Sequence, residues 1–205
     1  MPLITVAEAQ QEIPELSGTV GADASAYLTA LVSTVSQRLA AWCGYPRGSG
    51  GAAPTMERAT YVQYLTGTGG RELVLPVWPV VSVTSVYDDP DLTWSSSTLV
   101  DSGDYSLIDA AVGRLLLTAT STQGAWSTTP GAIKVTYIAG NDTPEDALRH
   151  AARVYVRHLF ERRRSVGRES ESNNGASATF ELPAGPIPAA VRELARPYRL
   201  PGALL

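Results

Sequence analysis

The chain is poor in the residues that carry redox and metal chemistry. Its 205 residues include one cysteine, Cys43, two histidines, His150 and His158, and one lysine, Lys134. A single cysteine cannot close an internal disulfide or build a cysteine-based metal site, and it reads as a small buried apolar residue. The two histidines are eight residues apart, more than two helical turns. They read as surface or interface residues, and no metal or cofactor is expected. No stretch approaches the roughly 18 uninterrupted apolar residues of a membrane helix. The first residues, MPLITVAEAQQE, lack the basic-then-apolar pattern of a signal peptide, which predicts a protein made and kept in a cytoplasm, with no membrane partner. A net charge of −4 argues against a globally basic nucleic-acid binder and against attraction to anionic lipid.

What is present is arginine, which supplies 15 of the 16 basic residues. Its planar fork suits desolvated contacts with carboxylate or phosphate, although a GC-rich genome produces the same skew. The charge is also divided along the chain. Residues 1–144 carry six basic and 13 acidic groups, whereas residues 145–205 carry ten and seven. Any basic surface is therefore local and lies toward the C-terminus.

Periodicity divides the chain into helical, extended and helical stretches. Thr5 and Glu8 have the spacing of a capping box that opens a short helix from Val6 to about Glu12. Tyr27, Leu28, Leu31, Val32, Val35, Leu39 and Trp42 form one apolar stripe, predicting a helix over 23–42 with Asp23 or Ser25 as cap and Gly44 as stop. After the flexible GSGGAAP, alternating or β-branched runs at 58–65, 73–75, 80–87, 105–108, 114–117 and 133–138 predict a small antiparallel sheet. Thr143 as cap and Pro144 at the first position then predict a long helix to residue 164. Leu148, Ala151, Ala152, Tyr155 and Leu159 give that helix an apolar stripe. Arg149, Arg153, Arg157 and Arg164 share an arc of about 80° elsewhere on it. Residues 165–175 are too polar to order alone. Beyond them Phe180, Leu182 and Ile187 sit among prolines in an extended arm, followed by a short helix near Ala189–Ala195 that has little of its own domain to pack on. The fold class is thus α+β: a helical bundle with an inserted antiparallel β-sheet domain and an extended C-terminal arm. The expected divisions are 1–47, 56–138, 143–164 and 165–205.

No catalytic constellation emerges. DDPD at 88–91 reads as a turn after a strand, since it lacks the ligand pattern of a calcium loop. Gly67-Thr-Gly-Gly70 has the glycines of a phosphate loop but no Lys-Ser/Thr and no following helix, and it reads as a hairpin loop. No G-x-S-x-G elbow presents a serine nucleophile. Tyr61, Tyr64, Trp78, Tyr87, Trp94, Tyr105, Trp126 and Tyr137 have base-stacking chemistry, but the strands hold more acids than bases, so core or subunit-interface aromatics fit better. The arginine face remains open between a solvated helix surface and a surface that meets acidic residues of a partner or nucleic acid.

The order of elements carries a resemblance. ITVAEAQQEI leads to a helix ending near CGYP, then LVLPVWPVVSVTSVYDD, DYSLIDAAVGRLLL, GAIKVTYIAGNDTPEDALRHAARVYVRHLFERRR and ELARPYR. The most specific part is Val135-Thr-Tyr-Ile-Ala-Gly140 leading through Pro144 into the arginine-bearing helix, supported by Pro197-Tyr-Arg199. The chain resembles the head-tail connector (adaptor, or head completion) proteins of tailed bacteriophages and phage-like particles. The resemblance implies a non-enzymatic virion protein of the neck, assembled in the host bacterial cytoplasm. It further implies a homo-oligomeric ring, commonly dodecameric, that binds the portal protein above and a stopper or tail-completion protein below, while packaged DNA passes through without being read. In that setting Arg149, Arg153, Arg157 and Arg164 are candidate contacts to a partner or the DNA channel. Phe180, Leu182, Ile187, Leu194 and Tyr198 are candidate apolar anchors on the portal or a neighbouring subunit. The alternative is a nucleic-acid-binding module that uses the arginine-rich helix.

Overall fold

A computed structural model of the chain describes residues 2–13, 22–162, 170–173, 176–179 and 187–200. The fold is α+β and divides into two units, one formed by the described residues of Met1–Cys43 and Pro144–Arg199, the other by those of Gly44–Thr143 and Leu200–Leu205.

The helical unit contains α1 (Val6–Gln11), α2 (Ala22–Trp42), α3 (Asp146–Arg162) and α4 (Ala189–Ala195), the last running into a 3-10 turn at Arg196–Tyr198. The capping box forms as the spacing predicts, with Thr5 and Glu8 each satisfying the other's backbone N–H. On α2 the stripe Leu28, Leu31, Val32, Val35 and Leu39 is buried, together with Ala40. Tyr27 lies at its margin, 40% exposed, with its ring 6.4 Å from that of Phe160. The helix already begins at Ala22, so Asp23 lies in its first turn and acts on the helix dipole, not as a cap. Gly44 takes the left-handed φ of 87° expected after a helix end. From α3, Leu148, Ala151, Ala152, Tyr155, Val156 and Phe160 face this core. From α4, Val191 and Ala195 close it. The Cys43 thiol points at the Ala195 carbonyl, and burial pushes its pKa up to about 12, the inert buried cysteine anticipated above.

Two expectations for this unit are corrected. The long helix starts at Asp146 and not at Pro144, and the Arg149 N–H donates to the Glu145 carbonyl. Upstream, the Asn141 carbonyl accepts from the Arg58 N–H, and the Asp142 carboxylate pairs with the Arg58 guanidinium at 2.7 Å. Those contacts hold Asn141 and Asp142 against Arg58, just ahead of the expected cap at Thr143. The second correction concerns the short C-terminal helix, which packs on α3 within its own unit. It does not need another chain to bury its apolar face. In the stretch expected as an extended arm, β7 (Ser170–Asn173) and β8 (Ala176–Thr179) pair antiparallel.

The sheet unit holds two three-stranded antiparallel sheets where one was expected. The first has the order β1 (Ala59–Leu65), β6 (Ile133–Ala139), β3 (Val80–Asp88), and the second β2 (Glu72–Val74), β5 (Arg114–Leu117), β4 (Tyr105–Asp109). β6 alternates strictly between buried and half-buried positions, which places Ile133, Val135, Tyr137 and Ala139 in the core and Lys134, Thr136 and Ile138 on the outer face. The GTGG segment is accordingly no hairpin loop, because β1 and β2 belong to different sheets. Its role is close approach: a Cβ on Gly67 would lie 2.5 Å from the Ser127 carbonyl oxygen. Of the aromatics, Tyr61, Trp126 and Tyr137 fill the core. Asp89, in the DDPD segment, is buried and staples its loop. Its carboxylate accepts from the backbone N–H groups of Asp91, Thr93 and Trp94 and from the Thr93 hydroxyl. The Thr93 hydroxyl leads these bonds in holding its carboxyl below the usual range.

Candidate functional site

The arginine-bearing helix is positioned by its apolar stripe, which fixes the rotation of α3 against α2 and α4 and turns Arg149, Arg153 and Arg157 away from the core. What the sequence did not reveal is where the first two of these point. The Glu8 side chain on α1 uses one carboxylate oxygen for the capping box, taking the Thr5 N–H at 2.8 Å and the Thr5 hydroxyl at 2.9 Å. Its other oxygen accepts from Arg149, and from Arg153 at 2.8 Å. The Thr5 N–H, followed by Arg153, the Thr5 hydroxyl and Arg149, brings the Glu8 carboxyl down to about 2, against burial, which pushes the other way. One carboxylate therefore ties the first helix to two turns of the third. The Nε of Arg153 is buried and takes no acceptor. Arg157, one turn further on, is more exposed and pairs along its own helix with Glu161 at 2.7 Å. Arg164 lies outside the described residues.

At the C-terminal end the candidate anchors separate. Ile187 is buried within the chain, and Leu194 is half-buried. The Tyr198 hydroxyl donates to Glu145 at 2.7 Å, just ahead of α3. The neighbouring Arg199 guanidinium lies over the Trp42 ring, 4.9 Å from its centre. The terminal Pro-Tyr-Arg of the sequence pattern thus clips the last turn onto both long helices. Phe180 and Leu182 lie outside the described residues.

The third helix therefore brings Arg149 and Arg153 together on a partner from the same chain, and Arg157 lies beside them with its charge facing solvent. Glu8 is the residue that sequence reasoning missed at this site. Its capping role was legible from the Thr5-x-x-Glu8 spacing, but its second partnership spans 141 and 145 positions of sequence, beyond any local pattern.

Chemically, the arrangement is a packed helical scaffold with a cationic edge. Among the described residues no cluster of histidine, cysteine, aspartate and glutamate has metal-binding geometry, and no helix is long and apolar enough to cross a membrane. Compared with known proteins, the chain is matched by the family model for head completion proteins over residues 3–200. No curated protein matches it. With nearly its whole length covered, the chain belongs to the head completion protein family, structural proteins of the phage virion that act at the junction of head and tail.

Proposed function

We propose that this protein is the connector that joins the DNA-filled head to the tail, forming a homo-oligomeric ring beneath the portal through whose centre the packaged DNA passes. The observation that carries this reading is the family match across both the helical and the sheet unit. A ring of identical subunits needs a head-to-tail contact in which one flank complements the other. The portal above and a stopper or tail-completion protein below are its neighbours in the neck, and assembly takes place in the host cytoplasm. The cationic edge of α3 is the surface offered to an anionic neighbour, and among its described members Arg157 is the most exposed, since Arg149 and Arg153 are engaged by Glu8.

Negative-stain imaging of the purified chain with and without portal tests this. Rings seated on the portal vertex are the expected result, and particles that stay monomeric in both conditions would overturn it. Tight binding of short duplex DNA by the isolated monomer, weakening steeply with salt, would instead support a nucleic-acid-binding module.

A further inference from the structure

The chain between the third and fourth helices carries a ribbon that the helical core does not use. β7 and β8 pair in unbroken antiparallel register, from Ser170 opposite Thr179 to Asn173 opposite Ala176, and their packing is essentially with each other. The two residues between them in sequence are Asn174-Gly175, the pair that most favours a two-residue hairpin. A two-stranded ribbon is only marginally stable alone in water, and a third strand or a packed face is what makes it persist. Seven residues separate Arg162 from Ser170 and seven separate Thr179 from Ile187, so by chain length each connection can reach about 24 Å.

Both edges of the ribbon are open. In an antiparallel pair every second residue of each strand turns its N–H and C=O away from the partner, and no further strand takes these groups up among the described residues. Folded proteins blunt such edges with lysine, proline or a bulge. Ser-Glu-Ser-Asn and Ala-Ser-Ala-Thr contain neither residue, and their register has no bulge. The ribbon is thus built to accept a strand on each side.

We propose that the ribbon is completed by a second copy of itself, β8 of one copy adding to β7 of the next around the ring. The two open edges select this occupant. A foreign strand added at one edge leaves the other open, whereas identical ribbons joined head to tail pair both and close with no edge left. The contacting flanks are opposite edges of one ribbon, as a head-to-tail contact requires. The strands also match, with four residues in each and Glu171 the one charged residue in either. In a ring of about twelve copies the closed ribbon holds about 24 strands, above the 16–18 at which barrels already enclose an aqueous channel. Residues 168–182 carry Glu169, Glu171 and Glu181 against Arg168, an acidic balance that lets packaged DNA pass without holding it.

This inference rests on the ring reading above, and thiol crosslinking tests the two separately. The full-length variants Ser172→Cys and Ser177→Cys each present one reactive thiol, because the native Cys43 is buried and its thiol pKa is pushed up to about 12. Wild type, each variant, and the two variants mixed before assembly are combined with portal, imaged by negative stain and treated with a short bis-maleimide. The expected result is a covalent dimer in the mixture and none in either variant alone, because β7 meets β8 and never β7. A second pair, Ser170→Cys with Thr179→Cys, repeats the test at the other end of the strands and covers the stagger that barrel closure introduces. Rings in which neither mixture crosslinks overturn the ribbon contact and leave the ring standing. Dimers formed by one variant alone mark a two-fold contact and overturn it as well. Bands at the summed mass of chain and portal give the edge to the portal, with the same consequence. Wild-type chains that stay monomeric with portal overturn ring and ribbon together.

Discussion

Glu8 accepts hydrogen bonds on both carboxylate oxygens, one set from its own helix start and one from α3. Because its folded-state pKa of about 2 lies below the ordinary 4.5, the ionised form binds the fold more tightly than the protonated form. The stability it contributes is fully present above pH 4.5 and is lost as pH falls from there toward about 2. Replacing Glu8 with Gln should cost about 1–3 kcal/mol at neutral pH, the range for a charge-assisted hydrogen-bonded group. The same substitution should flatten the acid limb of stability in that window. Urea unfolding of both proteins at a series of pH values checks this, and parallel curves through the acid range would refute it. Half of this residue's role was readable in advance. A capping box is a three-residue spacing, whereas the arginine contacts depend on a packing angle between helices that no local pattern specifies.

Among the elements, strands and helices were legible where side-chain period and burial coincide, as on β6, whose alternation survives residue for residue. Boundaries and connections were not, because long-range hydrogen bonds decide them. Arg58 bonds to Asn141 and Asp142 just ahead of α3, which begins at Asp146. The GTGG segment joins two sheets, since β1 finds its partner in β6 and not in β2. The end of β6 shows the same principle at Gly140, where the chain turns against Glu57. Its φ is 110°, and a Cβ there would lie 2.4 Å from the Glu57 carbonyl oxygen. Gly140→Ala should therefore destabilise the sheet unit by about 1–3 kcal/mol through strain and displaced backbone. Gly124→Ala is the control, with a positive φ of 67° but nothing within 4 Å of the added methyl. If the two substitutions shift the urea midpoint equally, backbone conformation alone accounts for the effect and the close approach to Glu57 contributes nothing.

Over the whole molecule, the split of charge between residues 1–144 and 145–205 has a more specific meaning than a basic end facing an acidic partner. Arg149 and Arg153 are committed to Glu8, and Arg157 is shared with Glu161, so much of the C-terminal excess is balanced inside the helical unit. The α+β class and the family resemblance were legible because they rest on the order of elements. The use of the C-terminal segment was not, because packing of α4 against α3 is a tertiary event that the short, proline-flanked sequence does not announce. That packing changes how docking has to be tested. Cutting the chain after Ser165 would remove Ile187, Val191 and Ala195 from the core and would confound lost portal binding with lost folding. Val191→Asp should show that cost directly, lowering the unfolding midpoint by burying an unpaired charge worth several kcal/mol. Docking is better probed by Phe180→Ser/Leu182→Ser in the full chain, the two proposed anchors that precede this core contact. Weaker portal binding by the double variant, measured by co-sedimentation with an unchanged thermal midpoint, is the expected outcome. Unchanged binding would remove Phe180 and Leu182 from the docking surface and shift the search to the exposed edge of α3 around Arg157.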